Sequence, residues 1–215
     1  MDRVELAMVL AVDGSASVTY DEFGLIAGGM AAALRDPTVV TGLTGGPCML
    51  SLLLWSGVGA QEAIVDWTRI SSPAELEAFA MEVDNMPRLV PAGETAIGEA
   101  LLASLTLLAH LPAMTKRSIV NVIGDGRSNV GIAPGPIRDK MAAADITING
   151  LCILHEEPDL LDSYAAEVIG GPGAFAVVCR DYPDFEDAMR RKLTREIGEK
   201  IVIRPTRPPT SHSPV

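Results

Sequence analysis

Residues 6–12 read LAMVLAV, apolar at every position with no polar alternation. A strand apolar on both faces has to be covered on both, so it belongs in the middle of a sheet with a layer on either side. Residues 118–123, SIVNVI, have nearly the same character and predict a second central strand. Around these two, strand-like and helix-like segments alternate. Strands are expected at 4–12, 48–55, 62–67, 118–123, 146–154 and 174–179. Helices are expected at 20–34, 73–83, 95–110, 134–144, 160–169 and 184–200, the first ended by Asp36-Pro37 and the second opened by Ser72 as N-cap with Pro73 at its first position. The short link Ser56-Gly57-Val58-Gly59 predicts a hairpin, which makes the 62–67 strand an antiparallel edge. The fold class that follows is α/β: a doubly wound, mostly parallel six-stranded sheet with one antiparallel edge strand and helices on both faces.

The chain has 215 residues, enough for one domain with a sizeable core. Residues 1–203 are expected to form that domain. Residues 204–215, RPTRPPTSHSPV, are polar and proline-rich and are expected to be a disordered tail. The formal charge of −11 repels phosphate backbones and argues against a nucleic-acid partner. No apolar run is long enough to span a membrane, and the first residues show no signal-peptide pattern. As written, the chain reads as cytoplasmic and monomeric; a trimmed leader would make it periplasmic or secreted. Cys48, Cys152 and Cys179 all lie in or beside apolar strands and read as buried thiols.

The end of the first strand carries the chemistry. The apolar run stops at Asp13, and Ser15 and Ser17 follow at alternate positions in DGSAS. Three oxygen-bearing side chains at that spacing can converge above a strand end on a phosphate, a proton or a cation. Ligands of open parallel sheets bind at this edge, where the strand order reverses. A second aspartate, Asp125 in NVIGDGRSN, ends the 118–123 strand, and Thr95 in PAGETAIGEAL opens a buried helix. If the two central strands are neighbours, all three segments meet. Three hydroxyls and two carboxylates, with no thiol and no nearby imidazole, select a hard divalent cation: Mg²⁺ first, then Mn²⁺ or Ca²⁺.

DGSAS, the threonine of GETAIG and the aspartate of IGDG together resemble the metal-ion-dependent adhesion site of von Willebrand factor type A domains. The resemblance covers about residues 4–200, and AALRDPTVV, WSG, ITINGLCIL, VIGGPGAF and RRKLTREI are similar to an uncharacterised bacterial subgroup of that fold. It implies that Ser15 and Ser17 bind the metal directly, that Thr95 joins them in the ligand-bound state, and that Asp13 and Asp125 act mostly through water. It also implies a non-enzymatic module whose metal takes a carboxylate from a partner protein, and a last helix that responds to ligation. Ala16 stands where glycine is frequent, and Glu94 adds a carboxylate beside Thr95. The alternative is a Mg²⁺-dependent hydrolase or phosphatase on a similar sheet. Against it, Ser15 stands where a second aspartate would be needed, and the three segments offer neither Lys nor His.

Three other stretches have plainer readings. VIGGPGAF lacks the Lys-Ser/Thr of a phosphate loop and precedes a strand, so it reads as a tight turn at the lower edge of the sheet. Arg127, Ser128 and Asn129 read as surface residues near the site, and residues 155–157 as a solvated loop at the same upper edge. Trp55 and Trp67 read as packing on the sheet faces.

Overall fold

The structure, a computed structural model, describes residues 2–198. The main sheet is built from β2 (Leu6–Asp13), β3 (Cys48–Trp55), β4 (Gln61–Ile70), β6 (Ser118–Gly124), β7 (Ile146–Ile153) and β8 (Ala176–Cys179). Their order is β4-β3-β2-β6-β7-β8, and every neighbouring pair is parallel except β3 with β4. This is the expected α/β sheet of six strands with one antiparallel edge. After β2 the chain moves outward to β3 and β4; after β6 it moves the other way, to β7 and β8. The reversal therefore falls between β2 and β6, which opens a crevice above their carboxyl ends.

Both faces are covered. The helices α1 (Tyr20–Arg35), α2 (Pro37–Thr44), α3 (Pro73–Asp84) and α7 (Phe185–Gly198) pack on Leu6, Met8, Leu10 and Val12 of β2 and on the matching positions of β3. On the other face, α4 (Ile97–Ala109), α5 (Pro134–Ala143) and the short α6 (Leu160–Ser163) cover Val9 and Ala11, with Val120, Val122 and Ile148 beside them. Each buried aliphatic side chain contributes about 1.5–3 kcal/mol, so this two-sided burial is what fixes the central strands in place.

Several local features differ from expectation. The first strand is split at Glu5, which ion-pairs with Lys116: β1 (Asp2–Val4) pairs with β5 (Ala113–Thr115) in a separate two-stranded ladder. Asp36-Pro37 ends α1 as expected but also starts α2. The Asp36 carboxylate accepts from the Thr38 and Val39 N–H groups, and Pro37 takes the first helical position. The expected 160–169 helix continues past α6 as a π-helical turn, Tyr164–Val168. The three cysteines are buried thiols. Gly171 packs against the Ile146 carbonyl at the start of β7, so VIGGPGAF lies at the lower edge, as read from sequence. The expected tail at 204–215 and the end of the last helix at 199–200 lie outside the described residues. No helix of the described residues is long and apolar enough to cross a membrane.

A buried polar cluster sits between α7 and the sheet, and the sequence pattern did not reveal it. Lys192 and Glu196 are fully buried and paired with each other. Lys192 also donates to Asn121 Oδ1. Glu196 accepts from Asn121 at 3.2 Å and from Asn149 at 2.7 Å. The two asparagines are register partners on β6 and β7, facing α7. Burial depresses the Lys192 ammonium, while Glu196 works in the opposite direction.

Candidate metal centre

β2 ends at Asp13, whose side chain is fully buried. Gly14 continues the ladder by donating its N–H to the Trp55 carbonyl at 2.7 Å. The chain then turns, because Asp13 Oδ1 accepts the Ser15 N–H at 2.7 Å, an Asx-type bend. The turn delivers Ser15 and Ser17 to the top of the sheet just before Thr19 caps α1. Ser15 is buried, whereas Ser17 is exposed at the mouth. Arg88 fastens the loop from outside by donating to the Gly14 and Ser15 carbonyls at 2.9 and 2.7 Å, with its guanidinium 5.3 Å from the centre of the Tyr20 ring.

The second aspartate arrives on the neighbouring strand. Asp125 follows β6, is fully buried, and accepts the Ser17 hydroxyl proton on Oδ1 at 2.8 Å. Ser17 Oγ lies 3.2 Å from Ser15 Oγ. Tyr182 Oη donates to the other Asp125 oxygen at 2.8 Å. Asp13, Ser15, Ser17 and Asp125 thus form one hydrogen-bonded chain across the crevice.

Thr95, just before α4, is brought alongside by the loop that follows Asp125. Its N–H donates to Asn129 Oδ1 at 2.9 Å, and its carbonyl accepts the Asn129 N–H at 3.0 Å and the Ser128 hydroxyl at 3.3 Å. Thr95 Oγ1 lies beside Gly126, 3.7 Å from where a Cβ on that glycine would sit. The structure therefore links Asp13, Ser15, Ser17 and Asp125 by hydrogen bonds and sets Thr95 beside Gly126, next to Asp125.

Two expectations change. Ser128 and Asn129 brace Thr95 as well as lining the surface. Glu157, read as part of a solvated loop, accepts the Arg127 N–H at 3.1 Å and pairs with its guanidinium, so it anchors the same loop. Arg88, Tyr164 and Tyr182 carried no sequence signal beyond the position of Tyr182 just after an upper-edge strand. Trp55 and Trp67 pack on the sheet as expected, and Trp67 Nε1 also donates to the Leu107 carbonyl at 2.9 Å.

The electrostatics are those of a site short of positive charge. Burial, and next the neighbouring Asp125 charge, push the Asp13 carboxyl up from 3.8 to about 7, against the lowering effect of the Ser15 N–H, the Ser15 side chain and Arg88. Asp13 Oδ2 is buried and finds no hydrogen-bond partner among the described residues. The two nearby guanidiniums are committed, Arg88 to backbone carbonyls and Arg127 to Glu157 and Asp159. Among the described residues there is no cluster of three or more His, Cys, Asp or Glu side chains placed to hold a metal. The donor set here is of another kind, three neutral hydroxyls backed by two carboxylates. That chemistry, with a buried carboxylate oxygen left over, fits a hard divalent cation.

A family model described as "Protein of unknown function (DUF1194)" matches residues 3–201. No curated protein matches the chain. Among solved structures, the chain is similar to proximal thread matrix protein 1 from the mussel byssus, in a form whose adhesion-site motif is occupied by zinc: 16% identity, TM-score 0.63, covering 92% of this chain and 48% of that one. It is similar to a von Willebrand factor type A protein from Catenulispora acidiphila, with 15% identity, TM-score 0.61, and 90% of this chain against 43% of that one. It is also similar to the von Willebrand factor domain of the type V pilus tip protein Mfa5 from Porphyromonas gingivalis, with 10% identity, TM-score 0.62, and 92% against 96%. The chain spans about half the length of the mussel and Catenulispora proteins. At these identities the likeness shows the fold, which is that of a von Willebrand factor A domain.

Proposed function

Because this chain belongs to the DUF1194 family and has the von Willebrand factor A fold, we propose that it is a non-enzymatic, metal-dependent protein-binding module. Asp13, Ser15, Ser17, Thr95 and Asp125 hold a Mg²⁺, with Mn²⁺ or Ca²⁺ as substitutes, and the partner is a protein that presents an acidic side chain. The observation that carries this reading is the hydrogen-bonded chain Asp13-Ser15-Ser17-Asp125 across the crevice, with Thr95 Oγ1 beside Gly126 and Asp13 Oδ2 buried without a partner among the described residues. The zinc in the adhesion-site motif of the mussel protein supports it.

When bound, the cation supplies a Lewis-acidic position for an anionic oxygen from outside. The protein's own residues set how strongly that position attracts. Ser15, Ser17 and Thr95 offer uncharged oxygens. Asp125 is held by hydrogen bonds from Ser17 and Tyr182, and Asp13 Oδ1 by one from the Ser15 N–H, and in this reading both act on the cation mostly through water. Carboxylates held back in this way neutralise a cation only partly, so it retains affinity for one more acid.

The surface around the mouth suits a protein partner. Tyr20, at the start of α1, and Val58, Leu89 and Ile132, on loops of the same upper edge, are all well exposed. Calorimetry or pull-down with acidic peptides, with and without EDTA, tests the proposal. Binding that requires the divalent cation and is lost in Asp13→Ala supports it; binding indifferent to both refutes it. Turnover of generic phosphoesters with Mg²⁺, abolished by Asp13→Asn, would establish the hydrolase reading instead.

A further inference from the structure

Both buried carboxylates of the centre have a tyrosine near them. For Asp125 the contact is made: Tyr182 Oη donates to Oδ2 at 2.8 Å. For Asp13 the parts are in place but not joined. Tyr164 is fully buried, and its hydroxyl and Asp13 Oδ2 both lack a hydrogen-bond partner among the described residues. The two atoms crowd one spot. A Cβ on Gly124 would lie 2.9 Å from Asp13 Oδ2 and 3.0 Å from Tyr164 Oη, so only glycine leaves that space open. The backbone that presents Tyr164 is itself unusual. The ring comes from the head of the π-helical turn Tyr164–Val168, closed by the Ile169 N–H on the Tyr164 carbonyl at 2.9 Å. Such turns are rare and are frequent at functional sites. Burial holds both phenols well above the usual tyrosine range, so both stay protonated and able to donate.

We propose that Tyr164 is a positioning residue for Asp13: its O–H donates to Asp13 Oδ2, directly or through one water, as Tyr182 donates to Asp125, and the two phenols fix the orientation of both carboxylates. The inference rests on the metal-centre reading above and deepens it. A carboxylate oxygen has more than one lone pair, so Oδ2 can accept the phenol and still serve the site. With the phenol gone, Asp13 is freer to turn inward and contact a cation directly. That change favours Ca²⁺, which accepts more oxygen ligands in a looser geometry, over the strictly octahedral Mg²⁺.

The test uses the whole chain and has two arms. In the first, Mg²⁺ and Ca²⁺ are titrated calorimetrically into wild type, Tyr164→Phe and Tyr182→Phe. Mg²⁺ affinity is expected to fall about tenfold in Tyr164→Phe, as when other outer partners of metal ligands are removed, with the Mg²⁺/Ca²⁺ preference moving toward Ca²⁺. In the second, the tyrosine Raman doublet of metal-free protein is compared between wild type and Tyr164→Phe, and is expected to show Tyr164 as a hydrogen-bond donor. Should Tyr164→Phe not fold, Tyr182→Phe serves, because it keeps Tyr164 as the buried phenol beside the exposed Tyr20. An unchanged Mg²⁺ affinity and preference, or a phenol that donates to nothing, overturns the inference. Wild type that binds neither ion defeats the metal reading, and the Raman arm then decides separately whether the brace exists.

Discussion

The Asp13 carboxyl couples stability to pH in a direction opposite to most surface acids. Its ordinary value of 3.8 is raised to about 7 by burial and by Asp125. Protonated Asp13 is therefore favoured by the folded, metal-free protein more than by the unfolded chain. The stability this provides is fully present below about pH 4 and is lost as pH rises through about 7. At about 1.4 kcal/mol for each pH unit of displacement, the full swing is on the order of 4 kcal/mol. That is a large share of the 5–15 kcal/mol typical of a domain. Other groups titrate in the same range, so the comparison is with Asp13→Asn, which keeps the shape and the acceptor for Ser15 but cannot ionise. Urea unfolding in EDTA at a series of pH values from about 4 to about 8 should show wild type falling relative to Asp13→Asn by a few kcal/mol. If the site holds Mg²⁺ as proposed, saturating Mg²⁺ should favour the ionised form and remove most of that fall in wild type, with little effect on the variant. Parallel wild-type and variant curves in EDTA would refute the reasoning, because Asp13 would then ionise as easily in the folded state as in the unfolded one.

The buried pair under α7 and the brace on Thr95 give two further expectations. Lys192→Met leaves Glu196 charged and buried beside two asparagines, so it should cost about 3–5 kcal/mol in denaturant unfolding, and Lys192→Met/Glu196→Leu should recover much of that loss. Additive losses in the double variant would mean that the pair is not coupled. Asn129→Ala removes the acceptor of the Thr95 N–H and should cost about 1–3 kcal/mol, with weaker Mg²⁺ binding. Equal Mg²⁺ affinity in that variant would show that Thr95 needs no such support.

What the sequence disclosed and what it concealed divide along physical lines. β2 was legible because a strand buried on both faces is apolar throughout, and β6 because it departs from that only at Ser118 and Asn121; Asp13, Ser15, Ser17 and Asp125 stood out at or beside the ends of these strands, and Thr95 at the opening of an apolar helix. The helix α2 was hidden, since Asp36-Pro37 serves equally to stop one helix and start the next. β1 and β5 are too short to show a pattern. Lys192 and Glu196 looked like any charged pair four apart on a helix surface; nothing local says that they face Asn121 and Asn149. The supports of the site were concealed for the same reason. Arg88, Tyr164 and Tyr182 reach it from loops and turns whose proximity depends on the finished topology, and Asn129, placed near the site by sequence, did not show there that it holds Thr95.

Crystals soaked in Mn²⁺ and measured for anomalous scattering test the central claim most directly. One peak in contact with Ser15 Oγ and Ser17 Oγ, with the Asp13 and Asp125 carboxylates standing behind them, is the predicted result. No peak above the ends of β2 and β6, or a Mn²⁺ gripped by both aspartates with the serines uninvolved, would contradict it.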